Sequence, residues 1–211
     1  MSDSDLSEQQ TNDIYDIIIE TAKKYKSDLV LLWYGQINGF TDKLINRFSH
    51  KSAVYRYYEY QLDNDFVPKF ESDGYELIAK PYTSALLEDS INILESAFTP
   101  EYDTPGSFIS DRDRLAHIFL NSHTYVFYLH DLPIGMYCIN NGEIEFIGVA
   151  KQHQNKGYSK IILSHLINYV NKEKLGTIHL CTGITNTKAI LLYEKFNFKR
   201  ICENSRVQIE I

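Results

Sequence analysis

The segment Gln154 to Ser159 combines residue types that suit anion binding by the main chain. Gly157 has no side chain to block a close approach, and Ser159 is small. Lys156 and Lys160 add positive charge beside these residues. The composition of this segment indicates a phosphate site, although composition and spacing alone do not make that interpretation specific.

The residues around this segment predict the secondary structure that such a site requires. An apolar run from Glu143 to Val149 reads as a strand, and Tyr158 to Val170 has the apolar spacing of an amphipathic helix. The first N–H groups of a helix have no partner inside the helix, and its N-terminus carries partial positive charge, so anions bind there. We therefore expect a strand, an anion-binding loop and a helix, in that order.

Two longer stretches make the interpretation specific. From Glu143 the chain reads EIEFIGVAKQHQNKGYSKIILSHLINYV, and from Asn186 it reads NTKAILLYEKFNFKR. The first resembles the GNAT superfamily of N-acyltransferases, whose signature is a strand ending in Val, then Gln/Arg-x-x-Gly-x-Gly/Ala, then a helix. The second resembles the family's Asn followed by a helix with Ala, Leu-Tyr-Glu-Lys and a terminal Gly-Phe. The resemblance extends more weakly back to about Tyr75.

The resemblance implies a fold and a division of the chain. The fold class is α/β (α+β), of the GNAT type: a twisted mixed sheet with helices on both faces. Residues 73–211 then form the acetyltransferase domain, and residues 1–72 form a small N-terminal α/β extension of unknown role. The strand ending at Val149 diverges from a strand at 177–182 in this fold, and the pantetheine arm of coenzyme A lies in the opening, where its amides complete the hydrogen bonding of the splayed strand.

The resemblance also implies an activity, a cofactor and the residues that bind it. The expected reaction is transfer of an acetyl group from acetyl-CoA to a primary amine, by direct attack in a ternary complex. The residues expected to bind the cofactor lie on the strand, in the loop and on the second helix: Ile147, Val149, Gln154, Asn155, Lys156, Gly157, Tyr158, Ser159, Lys160, Asn186 and Tyr193. The loop N–H groups would hold the pyrophosphate, and the N–H near Val149 would stabilise the oxyanion.

Three residues are candidates for the proton transfers. Tyr193 falls on the tyrosine of Leu-Tyr-Glu-Lys, which in the family protonates the departing thiolate, and the surrounding motif favours that role; the alternative is a core tyrosine. Side chains alternate along a strand, so Glu143 and Glu145 would share a face with residues 147 and 149. The resemblance implies that one of them is the general base, directly or through water. Each is also compatible with a solvated carboxylate beside a turn.

Two positions depart from the family pattern. Ser159 stands where the family has Gly or Ala, which is acceptable because Ser is small and can donate to a phosphate. Asn197 replaces the Gly that precedes Phe198. Asn is the next best residue for a left-handed helix end, so we expect the turn to be retained.

Charge and composition bound the function. The net charge of −7 argues against nonspecific nucleic-acid binding, and it is unevenly distributed: residues 151–200 carry +7 and residues 1–150 carry −13. A basic segment suits a polyanionic cofactor and an acidic remainder suits a cationic amine, but a chance bias of solvated surface charge explains both equally well. The three cysteines have no zinc or disulfide spacing, and we expect no metal site. Cys138 and Cys181 are expected in the core.

The remaining pattern yields further predictions. The N-terminal stretch MSDSDLSEQQTNDIYD is acidic, unlike a signal peptide, and no apolar run reaches membrane-spanning length, so we expect a cytoplasmic protein without a membrane partner.

Residues 1–10 are predicted to be disordered. Asn141-Gly142 predicts a type I′ hairpin, and His165 a position on a helix surface. The other predicted elements are helices at 13–25 and near 41–43, and strands at 28–34, 53–62, 198–202 and 206–211.

Two other classes of function compete with the enzyme. The first is a GNAT-fold protein that binds coenzyme A without turnover, as a sensor or interaction protein, with residues 1–72 as its partner surface. The second, a P-loop nucleotide enzyme, lacks the first glycine of Gly-x4-Gly-Lys-Ser/Thr. Neither the acceptor amine, a small molecule or a protein amine, nor the oligomeric state, monomer or homodimer, follows from the sequence.

Overall fold

The fold was analysed in a computed structural model that describes residues 7–25, 29–34, 52–63, 66–68, 77–98 and 111–210. The chain divides into two compact units: Met1–Glu59 together with Ile201–Ile211, and Tyr60–Arg200. The end of the chain thus groups with the N-terminal segment. The functional division at residue 72 remains a prediction, and the short helix predicted near residue 41 lies outside the described residues.

The smaller unit begins with helix α1, Glu8–Lys24. Ser7 caps it, since the Ser7 hydroxyl accepts from the Gln10 N–H and the Gln10 side chain accepts from the Ser7 N–H. This capping box satisfies two N–H groups that would otherwise lack partners. The prediction of disorder is therefore wrong for residues 7–10; the Ser-x-x-Gln spacing of a capping box is the sequence signal for this helix start.

Strands β1 (Leu29–Tyr34), β2 (Ser52–Leu62) and β8 (Lys199–Glu210) follow the order β1-β8-β2. β8 pairs antiparallel with β1, from Leu29↔Glu210 to Tyr34↔Ser205. The prediction of two separate strands at the C-terminus is wrong, because the polar residues at its middle remain extended. Asn204 illustrates the reason: its Nδ2 donates to Glu59 Oε2 of β2 at 3.2 Å, so a polar residue is satisfied without a turn.

The larger unit contains the remaining helices and strands. Its strands are β3 (Leu77–Pro81), β4 (His123–Leu129), β5 (Leu132–Asn140), β6 (Glu143–Val149) and β7 (Ile178–Gly183). Its helices are α2 (Leu87–Ala97), α3 (Arg112–Leu120), α4 (Tyr158–Glu173) and α5 (Thr187–Lys195), with short 3₁₀ turns at Ser84–Leu86 and Lys151–His153. The order across the sheet is β7-β6-β5-β4-β3, antiparallel except for β6 and β7, which are parallel.

The β5–β6 hairpin confirms the turn prediction. Asn141 and Gly142 both have positive φ, at 47° and 83°, as a type I′ turn requires. Gly142 also accepts a hydrogen bond from the His179 N–H at 2.8 Å, which begins the contact between β6 and β7. The hairpin therefore fixes where the two parallel strands start to pair.

Helices cover both faces of this sheet. On one face, α2 and α3 pack on a buried cluster that includes Ile91, Leu94, Phe119, Met136 and Phe146. Alternate residues of β5 point to the other face, where α4 buries a row of apolar side chains over the strands: Ile162, Leu163, Leu166, Ile167 and Val170. This mixed sheet with helices on both faces confirms the predicted fold class.

Two side-chain predictions are wrong. His165 is not a surface residue of α4: its Nδ1 lies 3.1 Å from the Tyr137 hydroxyl, its ring packs against Phe127, and burial lowers its pKa. Cys138 is buried as predicted, but Cys181 is exposed. The apolar run around each residue concealed which face of its element it occupies. Within the described ranges, no helix is both long and apolar enough to cross a membrane.

Candidate functional site

A cavity of about 470 Å³ lies in the larger unit beside the end of β6. One side is formed by the loop after β6 and the start of α4, another by α5, and a third by the end of α2. Ten of the eleven residues predicted to bind a cofactor line it: Ile147 and Val149 on β6, Gln154, Asn155 and residues 157–160 in the loop and α4, and Asn186 and Tyr193 on α5. The eleventh, Lys156, is exposed and does not line the cavity in the described part of the chain.

The cavity lies where β6 and β7 separate. In the described chain the two strands have one ladder pair, Glu143↔His179, at their beginning. β6 continues to Val149 and pairs along its other edge with β5, from Asn140↔Glu143 to Gly135↔Val149. Main-chain groups on the β7 side of β6 beyond that pair are therefore available to a molecule in the cavity.

The faces of β6 differ from the prediction. The register changes from Ile139↔Ile144 to Cys138↔Phe146, so Glu145 is an extra residue that forms a bulge. Before the bulge Glu143 pairs with Asn140; after it Val149 pairs with Gly135, on the opposite face of β5. The prediction that residues 143, 145, 147 and 149 share one face is wrong, because a bulge interrupts the alternation.

The loop has the backbone geometry of an anion site. Asn155 and Gly157 have positive φ, at 61° and 87°, and Gly157 is the N-cap of α4. A Cβ added to Gly157 would have no atom within 4 Å, so the position opens into free space. The Gln154 side chain donates to the Val149 carbonyl at 3.0 Å and ties the loop to the strand end. The N-terminal N–H groups of α4 thus lie in the cavity wall.

Helix α5 supplies the opposite wall. Asn186 caps it, as predicted, by accepting the Ala189 N–H at 3.2 Å. The helix ends before Asn197, which adopts φ of 65° and confirms that Asn serves where the family has Gly. Lys188, which the sequence did not single out, also lines the cavity and contributes a positive charge.

Tyr193 is both a core residue and a cavity residue. Its ring packs at 5.6 Å from that of Phe198 and 6.1 Å from that of Tyr60, measured between centroids, and only 6% of it is exposed. Burial raises the pKa of the phenol well above its ordinary value. A phenol is protonated at neutral pH even without this shift, so Tyr193 has a proton to donate, and the raised pKa makes it a weaker acid.

Glu143 and Glu145 are both exposed, and neither is among the described residues that line the cavity. Although Glu145 is exposed, the protein around its carboxyl group removes part of its hydration, and this desolvation raises its pKa; the negative charge of Glu143 raises the pKa further, and the positive charge of Arg114 on α3 opposes both. A raised pKa makes a carboxylate a stronger base near neutral pH. Of the two candidates, Glu145 has the better environment for that role.

Eight of the described residues that line the cavity were not predicted to do so: Ala97, Phe98, Gly148, His153, Lys188, Ala189, Leu191 and Leu192. Ala97 and Phe98, at the end of α2, face Gly148 of β6, and His153 lies in the 3₁₀ turn before the loop. The His153 Nδ1 is buried and has no hydrogen-bond partner among the described residues. No local spacing reveals Ala97 and Phe98, because α2 meets β6 only in the folded chain.

A model of the acetyltransferase (GNAT) family matches residues 87–198, more than half of the chain. The chain belongs to this family. Its match includes β6, the loop, α4 and α5, which are the elements that form the cavity. As a GNAT family member it has the loop after β6, the separated strands β6 and β7, and helix α5 in the arrangement that the resemblance implied.

Solved structures of low sequence identity share the fold. A conserved protein of unknown function from Staphylococcus epidermidis is 14% identical, with a TM-score of 0.76 over 97% of this chain and 81% of that one. A GCN5-related N-acetyltransferase from Sphaerobacter thermophilus is 13% identical, with a TM-score of 0.62 over 93% of this chain and 65% of that one. At these identities the likeness concerns the fold alone.

A curated relative is similar over a shorter segment. Mycothiol acetyltransferase from Renibacterium salmoninarum is 35% identical over 72 residues, which are 34% of this chain. The match spans only 21% of the length of that relative. The family is thus established, while the activity of this particular chain is a separate question.

Proposed function

We propose that this protein is an N-acetyltransferase that transfers an acetyl group from acetyl-CoA to a primary amine by direct attack in a ternary complex. The observation that carries the proposal is the cavity at the separation of β6 and β7, with a helix N-terminus on one side and the Tyr193 phenol on the other. The net charge of +7 over residues 151–200 suits a polyanionic cofactor.

The residues in the cavity wall fit coenzyme A in three respects. The N-terminal N–H groups of α4 and the open position at Gly157 suit a pyrophosphate. The β6 main chain suits the amides of a pantetheine arm. The buried Nδ1 of His153 lacks a protein partner among the described residues, and a polar group of the cofactor would satisfy it.

The chain's own groups would divide the work of acyl transfer. Bound acetyl-CoA supplies the activated thioester. The main-chain N–H near Val149 would polarise the thioester carbonyl, and Glu145, directly or through a water, would take the proton of the attacking amine. Tyr193, whose phenol is protonated at neutral pH, would donate its proton to the departing thiolate sulfur.

A second candidate is a coenzyme A-binding protein without turnover. The observation that favours it is that neither Glu143 nor Glu145 lines the described cavity, so no carboxylate base faces the proposed thioester position directly. A sensor would bind acyl-CoA in the same cavity and by the same loop. The two functions therefore differ in thiol release and not in binding.

The test is a pair of measurements on the wild-type chain. We expect acetyl-CoA to stabilise the folded chain and so to raise its melting temperature. At a concentration of about 100 times Kd, the free energy of unfolding should increase by about 2.7 kcal/mol. We also expect free thiol to accumulate when acetyl-CoA is combined with a panel of polyamines, aminoglycosides and peptide amines. Stabilisation without thiol release from any amine would favour the sensor, and no stabilisation by any acyl-CoA would contradict the cofactor assignment itself.

A further inference from the structure

The cavity has a polar end and an apolar end. Residues 154–160 of the loop and α4 form the polar end, which suits phosphate. Ala97, Phe98 and Gly148 meet on the α2 side of the strand and form an apolar wall. A molecule held at both ends would therefore place its charged group at the loop and an apolar group against α2.

The apolar wall packs directly on the strand. A Cβ at position 148 would lie 3.1 Å from Ala97 Cβ and 3.6 Å from Phe98 Cε2, so Gly148 is the residue that lets the end of α2 approach this closely. An acyl chain therefore cannot pass between the strand and α2 at this point, and Ala97 and Phe98 limit its extension on this side. Extra carbon atoms there would overlap with the Phe98 ring or the Ala97 methyl group.

Several contacts hold this wall in place. The Phe98 N–H donates to the Leu94 carbonyl at 2.9 Å, and the Phe98 ring packs against the buried cluster beneath α2 and α3. The Ser96 hydroxyl accepts the Lys151 N–H at 2.8 Å, which links the end of α2 to the chain between β6 and the loop. The wall is thus fixed to the chain segment that directly precedes the polar end.

The direction of the strand places the acyl group at this wall. The Gln154–Val149 hydrogen bond brings the loop to the end of β6, so an arm that leaves the loop along the strand passes Val149 and then Gly148. We propose that Phe98, packed with Ala97 across Gly148, determines acyl-donor specificity and restricts the donor to short acyl groups such as acetyl. This inference rests on the proposed function, because it assumes an acyl-CoA in the cavity.

Acyl chain length tests the inference. Acetyl-, propionyl-, butyryl- and hexanoyl-CoA are compared by thermal shift and, where thiol is released, by kcat/KM. For the wild type we expect a preference for acetyl over butyryl of at least about tenfold. Phe98→Ala should reduce that ratio by about tenfold or more, and Phe98→Leu, which retains most of the apolar packing and safeguards against loss of folding, should reduce it less.

Leu191→Ala is the matched control. It removes the same kind of apolar bulk from the α5 side of the cavity, where Leu191 is 68% exposed, and we expect it to leave the acetyl-to-butyryl ratio unchanged. A ratio unchanged in both Phe98 variants, equal loss of preference in Leu191→Ala, or a wild type that accepts hexanoyl-CoA as well as acetyl-CoA would overturn the inference while leaving the proposed function intact. Failure of every acyl-CoA to bind the wild type would overturn both.

Discussion

The two main walls of the cavity are built in different ways. The loop wall comes from one contiguous stretch, residues 153–160, and its binding groups are main-chain N–H donors and a glycine. The facing walls combine the end of α2, at Ala97, with α5, which begins at Thr187, so segments far apart in the chain form them. There the binding groups are side chains: Phe98, Lys188 and Tyr193.

This difference predicts different roles for the walls. We expect the loop wall to bind the cofactor, and the α2 and α5 walls to select the acyl group and take part in the reaction. If acetyl-CoA binds as proposed, main-chain groups in the loop would hold its phosphate whatever acyl group is attached, so that wall would support affinity. The side chains of the other walls would then lie near the acyl group and the thiolate, so they would support specificity and turnover. Substitutions in the loop should therefore alter Kd, and substitutions opposite it should alter kcat or selectivity.

The largest effect is expected for Tyr193→Phe, opposite the loop. Removing the phenolic proton should lower kcat by about 10²- to 10⁴-fold, while Kd for acetyl-CoA remains within about twofold because the ring is retained. Thiol-release kinetics and calorimetric titration measure the two quantities. Tyr60→Phe is the matched control, since its ring packs beside Tyr193 while its hydroxyl bonds to Glu194; kcat should be unchanged. A normal kcat in Tyr193→Phe would remove that residue from the mechanism.

Glu145→Gln should lower kcat by about 10²-fold and remove the acidic limb of the pH profile of kcat/KM. Because burial and Glu143 raise the pKa of Glu145, the wild-type limb should lie above the ordinary glutamate value of about 4.3. Any stability that this group contributes by being protonated is present below its unfolded-state pKa and is lost as the pH rises through its folded-state pKa.

Glu143→Gln distinguishes the two carboxylates. It removes a neighbouring negative charge, so the acidic limb should move to lower pH while kcat at pH 8 is retained. If Glu143→Gln abolishes turnover and Glu145→Gln does not, the assignment of the base is reversed.

Gly157→Ala should raise Kd for acetyl-CoA by at least about tenfold. An alanine there strains a backbone with φ of 87° and places a methyl group in the open space of the loop. Gly176→Ala is a close control: φ is 95°, a Cβ there also has no atom within 4 Å, and Gly176 does not line the cavity. Both variants should lose about 1 kcal/mol of unfolding free energy, and only the first should lose affinity. Equal Kd values would argue against the loop as the binding wall.

The smallest effect is expected for Ser96→Ala, which removes the link between α2 and the segment before the loop. The Ser96 hydroxyl accepts from the Lys151 N–H and donates to Gln152 Oε1, and loss of both hydrogen bonds should cost about 1 kcal/mol and lower the melting temperature by about 2–4 °C. The preference for acetyl-CoA should also weaken, though less than in Phe98→Ala. Ser90→Ala removes a hydroxyl that donates to the Leu86 carbonyl four residues earlier, away from the cavity, and should not change that preference.

The sequence predicted what depends on local spacing. The Asn-Gly turn, β6, the start of α4 and the Asn186 cap each follow from a few adjacent residues, and each is present. Ser7 and Gln10 carried an equally local signal that was overlooked. These features need no knowledge of the tertiary structure, because turn and cap chemistry is determined within a few residues.

What could not be predicted depends on contacts between distant segments. The bulge at Glu145 depends on the register between β5 and β6, and no residue type in the sequence indicates it. Glu143 and Val149 were therefore predicted to lie on one face of the strand, which is wrong. Phe98 became a cavity residue only because Gly148 lets α2 approach the strand. β8 remains one strand because Glu59 of β2 satisfies Asn204.

The measurement that tests the central claim most directly is hydrogen exchange of the main-chain N–H groups with and without acetyl-CoA. A cofactor in the cavity should slow exchange in peptides covering residues 147–160 and 186–193, with the largest change at residues 155–159, and should leave peptides from β3 and β4 unchanged. Protection confined to other segments, or none at saturating acetyl-CoA, would contradict the assignment of this cavity as the acyl-CoA site.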